Sequence, residues 1–207
     1  VLAFVDSTYT CLVVAIGVVP CLPQLGRLLR TGDPSGLSLP ALLAGLVNHA
    51  AWTVYLSGAG ATGLLVGNLL AWLVWTAMTV LAVRGLPRTR ACLVPMAWML
   101  VLLVVGTRQP ALLGTALGLG SLLVFLPQAV GAWRGPSLAG IAPLTWWLLL
   151  VQGLVWFGES LPGLLVGGLA FGVVCTVSSL SVLLALSVRR PRPVLLATPA
   201  PDPVLAA

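Results

Sequence analysis

Five consecutive residues, Gly63-Leu64-Leu65-Val66-Gly67, return 100 positions later as Gly163-Leu164-Leu165-Val166-Gly167. A second match lies upstream. Pro23-Gln24 recurs as Pro127-Gln128, an offset of 104, and at that offset Arg30 falls on Arg134, Gly36 on Gly140, Leu46-Val47 on Leu150-Val151 and Trp52 on Trp156. The offset shortens by four only after Leu56, in a connection, where residues are lost with least effect on packing. A chain built this way is expected to fold as two copies of one unit of roughly 65 residues, with a separate stretch between them.

Charge decides where such a chain folds. Of 207 residues, 59% are hydrophobic and 7% charged, with a mean hydropathy of +1.12. A soluble domain carries about a quarter charged residues, so this composition points to an all-α protein of the lipid bilayer. A membrane barrel would alternate apolar and polar residues over segments of about ten, and these runs do not. All ten basic residues are Arg. With abundant Ala, Leu, Val and Gly, that points to a bacterial source of high GC content and to the plasma membrane. The net charge of +6 does not imply nucleic acid, because the arginines flank apolar runs. Cys11, Cys21, Cys92 and Cys175 sit inside such runs without paired spacing, as small packing residues and not as metal ligands or disulfides.

Seven segments approach the length that crosses about 30 Å of hydrocarbon: residues 6–29, 37–57, 61–83, 91–107, 110–133, 138–158 and 161–188. The first carries Asp6 and runs into Pro-Gln, so it reads as a span and not as a cleaved leader. The Pro-rich tail should be irregular. With the N-terminus outside, nine of the ten arginines fall on inner loops or the tail and only Arg108 outside, which predicts an N-out, C-in topology. Three helices per copy would leave the second copy upside down, and one extra crossing restores it. The expected architecture is therefore seven transmembrane helices in a 3+1+3 order. Two parallel three-helix repeats occupy 1–84 and 110–190. Residues 85–109 carry an inversion helix, and 191–207 form the tail.

Candidate functional residues follow from what a bilayer tolerates. Pro23 and Pro127 each remove a backbone donor from the first helix of their copy, and Gln24 and Gln128 stand beside them to serve the freed carbonyls. Pro40 and Pro143 open the second helices, as first-turn residues or as hinges. Asn48 and Trp52 lie four apart on one helix face, and Gln152 and Trp156 repeat that face. Asn68 lies at a similar depth on the third helix. A Trp face beside amides suits a small polyhydroxylated solute, with C–H groups on the ring and hydroxyls on the amides. The same residues also serve as interfacial belts and interhelical glue. Trp72 and Trp75 stand one and two turns below Asn68 as candidate path-lining residues. Trp146 and Trp147 have no counterparts and read as packing or lipid-facing. His49, matched by Gly153, is a candidate proton site or a neutral interhelical hydrogen-bonding group. No carboxylate occupies the membrane centre, which favours uncoupled, downhill movement.

A proline–glutamine pair in the first helix of each three-helix copy, with one inversion helix between, resembles the PQ-loop superfamily. Trp52, followed by Tyr55, and Asn68 are similar to the SWEET and SemiSWEET sugar transporters, and the resemblance covers nearly all of residues 6–188. It implies facilitated diffusion of mono- or disaccharides by alternating access. It places substrate contacts on Asn68, Trp52 and Trp156, and a proline tetrad on Pro23, Pro40, Pro127 and Pro143. The second Asn of that family pocket is Gly168 here, and Pro143 is one residue out of register with Pro40.

The expected function is a uniporter for a sugar or sugar-like solute. Two other readings stay open: an amino-acid or other small-solute carrier, proton-linked through His49, and a seven-helix receptor or scaffold without transport. An enzyme is not expected, since no nucleophile–base set or metal-ligand cluster is present. No cofactor is expected either. One chain holds both units, so a monomer suffices, and homo-oligomers stay open.

Overall fold

The computed structural model describes residues 11–12, 14–35, 37–84, 92–135, 137–161, 164 and 166–189. Asp6, the linker at 85–91 and the Pro-rich tail lie outside the described residues.

Every regular element among the described residues is helical. The first helix is interrupted: residues 14–18 are helical, Val19–Cys21 tightens to a 3-10 turn, and α1 (Leu22–Thr31) continues from it. Pro20 and Pro23 account for the break, since neither offers an N–H to the helical ladder. α1 stops at Gly32, whose φ of +62° suits a residue without a Cβ and whose N–H reaches the Leu28 carbonyl at 2.9 Å. α2 (Leu39–Gly58) starts on Ser38, whose Oγ accepts from the Ala41 N–H at 3.4 Å. α3 (Thr62–Ala82), α4 (Leu93–Arg108), α5 (Leu113–Arg134), α6 (Pro143–Ser160) and α7 (Val166–Val188) complete the chain. A 3-10 turn at Pro110–Leu112 leads into α5. α6 begins five residues later than the sequence suggests, because residues 137–142 form an irregular connection tied to α1, described below.

Among the described residues four stretches are long and apolar enough to cross a membrane: α2, α3, Pro110–Arg134 and α7. α4 is apolar but has only 16 residues. α6 is diluted by its tryptophans, Gln152 and Glu159. These spans support a membrane protein.

Packing follows the repeat. α3 contacts both α1 and α2, and α7 contacts both α5 and α6. Across the two sets, α2 meets α5, while α1 and its 3-10 turn meet α6. α4 leans on α2 and on the start of α5. Each set has its own apolar core. Leu28, Leu42, Met78 and Ala82 gather in the first set, and Phe125, Trp146, Cys175 and Val182 in the second. The four cysteines are free; Cys21 and Cys175 are buried, whereas Cys11 and Cys92 are exposed and do not pack inside as expected.

Arg27 and Arg30 stand on α1, Arg84 just past α3, Arg134 at the end of α5 and Arg189 just past α7; Arg134 shares a groove with Leu37, Ser38, Leu39 and Pro40, which marks an arginine-bearing face. Arg189 donates to the Ala132 and Gly135 carbonyls at the end of α5, satisfying groups that the helix leaves unpaired. On the same face Asp33 accepts the Ser35 N–H and the Ser35 hydroxyl, each at 2.9 Å, and these bonds hold its carboxyl below the usual carboxylate range. The two connections of this face touch: a Cβ on Gly140 would overlap the Ser35 carbonyl.

Candidate functional site

A cavity of about 460 Å³ lies between the two sets, in the size range of small-molecule sites. Its lining on α3 runs from Leu64 to Met78, about 21 Å at 1.5 Å per residue. Asn48, His49, Trp52 and Asn68 of the first set line it. Gln152 and Trp156 of the second set line it too, as do Gln24 and Gln128. None of its lining residues is Asp, Glu, Lys or Arg.

The polar groups of the first set are engaged within the protein. Asn68 Nδ2 donates to the His49 carbonyl and to Thr53 Oγ1, both at 2.9 Å, and Asn68 Oδ1 stands 2.8 Å from His49 Nδ1. That last contact fixes the imidazole with its proton on Nδ1 whenever the ring is neutral. The ring also packs beside Trp75, centroids 5.9 Å apart. Asn48 accepts from Trp98 Nε1 of α4 at 3.3 Å and donates to the Leu117 carbonyl of α5 at 3.5 Å. Gly120 makes room for this junction, since a Cβ there would lie 2.6 Å from Asn48 Oδ1. Gln24 crosses between the sets: its Nε2 donates to the Gly140 carbonyl and its Oε1 accepts from the Ala142 N–H, both at 2.8 Å.

The second set differs. Gln128 and Gln152 are 6% and 9% exposed and line the cavity, yet no described residue hydrogen-bonds their amides. Thr145 Oγ1 is buried without a partner. Aromatic rings meet edge to face along this wall: Trp146 with Phe125 at 6.5 Å, Phe125 with Phe171 at 6.1 Å, and Phe171 with Trp156 at 5.9 Å. At Gly168, a Cβ would overlap the Ser160 hydroxyl, so Ser160 occupies the space that an Asn would need.

No family model, curated protein or solved structure matches the chain.

Pro40 and Pro127 share a groove between α2 and α5 at the arginine-bearing face. Pro23 lies in the first turn of α1, and Pro143 opens α6. Trp75 lines the cavity as expected, whereas Trp72 is not among its lining residues. Trp146 is 6% exposed and packs in the second core, and it also lines the cavity, which the sequence reading did not expect, while its neighbour Trp147 is 57% exposed. The missed signal was spacing. Thr145, Leu149, Gln152, Trp156 and Ser160 recur every three to four residues and form one face of α6, all on the cavity. Among the described residues no group of three His, Cys, Asp or Glu comes together.

Proposed function

We propose that this chain is a facilitative transporter of a sugar or sugar-like neutral solute, working by alternating access in a bacterial plasma membrane. In this reading α1–α3 and α5–α7 are two parallel three-helix units, α4 is the inversion helix, and the chain runs N-out to C-in. The packing order supports it: α3 contacts both of its partners as α7 does, and the cross-contacts of α2 with α5 and α1 with α6 are the same pair exchanged. The observation that carries the reading is the cavity lining. Tryptophan faces and amides surround about 460 Å³ without a carboxylate, ammonium or guanidinium group. Such a lining favours neutral, hydroxyl-rich solutes, because an ion there would lose hydration without gaining a counter-charge. The Gln24 clamp and the contact between Ser35 and Gly140 narrow the arginine-bearing mouth in this conformation. Transport then requires these contacts to open.

A second reading has one observation behind it. His49, the only His, lies on the cavity wall with one ring nitrogen tied to Asn68. Proton-linked movement of an amino acid or other small solute would pass through the other nitrogen.

Radiolabelled uptake into proteoliposomes tests both, using sugar and amino-acid panels with and without a pH gradient. Saturable sugar uptake indifferent to the gradient is the expected result. Gradient-driven uptake abolished by His49→Gln would replace the uniport reading with the proton-linked one. No saturable uptake from either panel would overturn transport itself.

A further inference from the structure

We propose that the groove between α2 and α5 seats an anionic phospholipid from the leaflet on the arginine-bearing side, with its head group at Arg134 and Ser38 and an acyl chain along Pro40, Pro127 and Val130. The proposal rests on the membrane reading alone and is independent of what the central cavity carries.

Charge complementarity is the first argument. Arg134 is exposed, lines the groove, and makes no hydrogen bond or ion pair with any described residue. Other arginines of this face are engaged. Arg189 donates to the Ala132 and Gly135 carbonyls, and Arg27 stands near the Asp33 carboxylate. Arg30, the repeat counterpart of Arg134, folds its Nε back onto the Gly26 carbonyl at 3.1 Å. The described acids do not answer Arg134: Asp33 is taken up by Ser35, and Glu159 lies near the opposite end of α6 from Pro143. Beside Arg134, Ser38 Oγ accepts from the Ala41 N–H, and its own hydrogen has no acceptor among the described residues. A guanidinium and a hydroxyl donor together suit a phosphate oxygen.

Shape is the second argument, and it separates a lipid from a free anion. The groove has a volume of about 410 Å³, and of its lining residues only Leu37 also lines the central cavity. It is polar at one end and apolar along its length. Arg134 ends α5, and Pro127 lies seven residues back along the same helix, about 10 Å deeper. Leu39, Pro40 and Val130 complete that apolar length. At Gly131 an added Cβ would meet nothing within 4 Å, so the helix wall is hollow there and an alkyl chain can lie close to the backbone. Trp133, the neighbour of Arg134, is 41% exposed with its indole N–H on Ser181 Oγ at 2.9 Å, the placing of an aromatic residue at head-group depth. A free phosphate has nothing to set against the apolar length. A zwitterionic lipid carries its own cation beside its phosphate, whereas an anionic one leaves a net charge for Arg134. A lipid seated here touches one helix of each three-helix set.

The test is thermal unfolding of the full chain in detergent, titrated with phosphatidylglycerol, phosphatidylcholine or inorganic phosphate. Phosphatidylglycerol should raise the unfolding temperature saturably, and the other two should not. Arg134→Gln should need about fivefold more phosphatidylglycerol for half the shift, the effect of one arginine beside an anionic lipid surface. Gly131→Leu fills the groove while keeping Arg134, and it should abolish the saturable shift. Both variants retain the fold, since Arg134 makes no internal bond and a side chain at 131 enters open space. Arg84→Gln removes an equally exposed arginine outside the groove and should titrate as the wild type does. If Arg84→Gln and Arg134→Gln weaken the lipid alike, the attraction is diffuse surface charge and the proposal falls. If Gly131→Leu keeps the wild-type half-saturation, the lipid is not seated in the groove and the proposal falls. An equal shift with inorganic phosphate would assign the site to a free anion, and an equal shift with phosphatidylcholine would remove the role of charge; either overturns the proposal, as does the absence of a saturable shift with phosphatidylglycerol.

Discussion

The two three-helix sets share a sequence pattern but join their second and third helices differently. In the first set the gap between α2 and α3 is filled by a bonded polar pair, His49 and Asn68. In the second, both positions are glycine, and the helices close up instead. A Cβ on Gly153 would stand 2.6 Å from Thr176 Oγ1 and 2.8 Å from the Thr176 backbone nitrogen. A second exchange shows the same economy of space. Gly45 lies under the Trp75 ring in the first set, where an added Cβ would meet it at 2.7 Å. The matching residues are Leu149 and Cys175, with the thiol donating to the Leu149 carbonyl at 3.1 Å. Large over small has become small beside large, and the volume is conserved. The lesson is that a shared sequence pattern can set helix order while single substitutions decide what each matched position does. Between their second and third helices, one set is joined by an Asn–His–Thr hydrogen-bond cluster and the other by close approach at glycine.

The largest test of that contrast uses the repeated glycine itself. Gly67 and Gly167 match across the repeat, but their neighbours differ. A Cβ on Gly17 would lie an ordinary 3.8 Å from the Gly67 carbonyl oxygen, whereas one on Gly118 would overlap the Gly167 carbonyl. A backbone carbonyl cannot swing away as a side chain can. Gly118→Ala should therefore destabilise by about 3 kcal/mol, the upper range for overpacking. Gly17→Ala should be neutral or stabilise by roughly 0.5 kcal/mol, since a helical Gly is replaced by Ala. Thermal unfolding in detergent measures both. Equal shifts would mean that the two sets pack equally tightly.

Next in size is the polar staple. Asn68→Leu removes three hydrogen bonds between α2 and α3, and interhelical bonds of this kind in membranes are worth about 0.6 kcal/mol on average and about 1.7 at most. A loss of about 1–2 kcal/mol is expected. A double-mutant cycle with His49→Leu sharpens it, because a shared bond makes the two losses less than additive. Additive losses would show that the pair is not coupled and that the staple lies elsewhere.

Much of this was legible in the sequence, for a physical reason. Helical faces recur every three to four residues, so Asn48 with Trp52 and Gln152 with Trp156 announce themselves as pairs on shared faces, and all four line the cavity. The proline–glutamine pairs locate the first helix of each set. Which amides are engaged was not legible. Asn48 bonds to Trp98 of α4, fifty residues away, through a space that Gly120 leaves open. Such a partnership depends on positions of a few tenths of an ångström that no spacing encodes. Trp146 packs in the core, but its place on the cavity was not legible, because Leu42 occupies its matched position and the repeat gave it no counterpart. The start of α6 was placed five residues early because Gln24 holds residues 140–142 out of the helix, a contact 118 residues long in sequence.

The smallest effect concerns that contact and isolates the asymmetry of one repeated residue. Gln24 bridges α1 to the connection before α6 through two hydrogen bonds of 2.8 Å, whereas Gln128, its repeat partner, makes no such bridge to a described residue. Gln24→Leu leaves the Gly140 carbonyl and the Ala142 N–H without partners, a loss of about 1 kcal/mol. Gln128→Leu removes no internal bond and should leave stability within about 0.5 kcal/mol of the wild type. The effect on shape should be larger than the effect on stability. Spin labels on Ser35→Cys and Ser137→Cys report the gap between the two connections of the arginine-bearing face. Gln24→Leu should shift that distribution toward longer separations, and Gln128→Leu should not. If both substitutions widen the gap alike, the two glutamines act as equivalent latches and the halves are more symmetric than their hydrogen bonds imply. If neither does, the contact between Ser35 and Gly140 closes this mouth without help from Gln24.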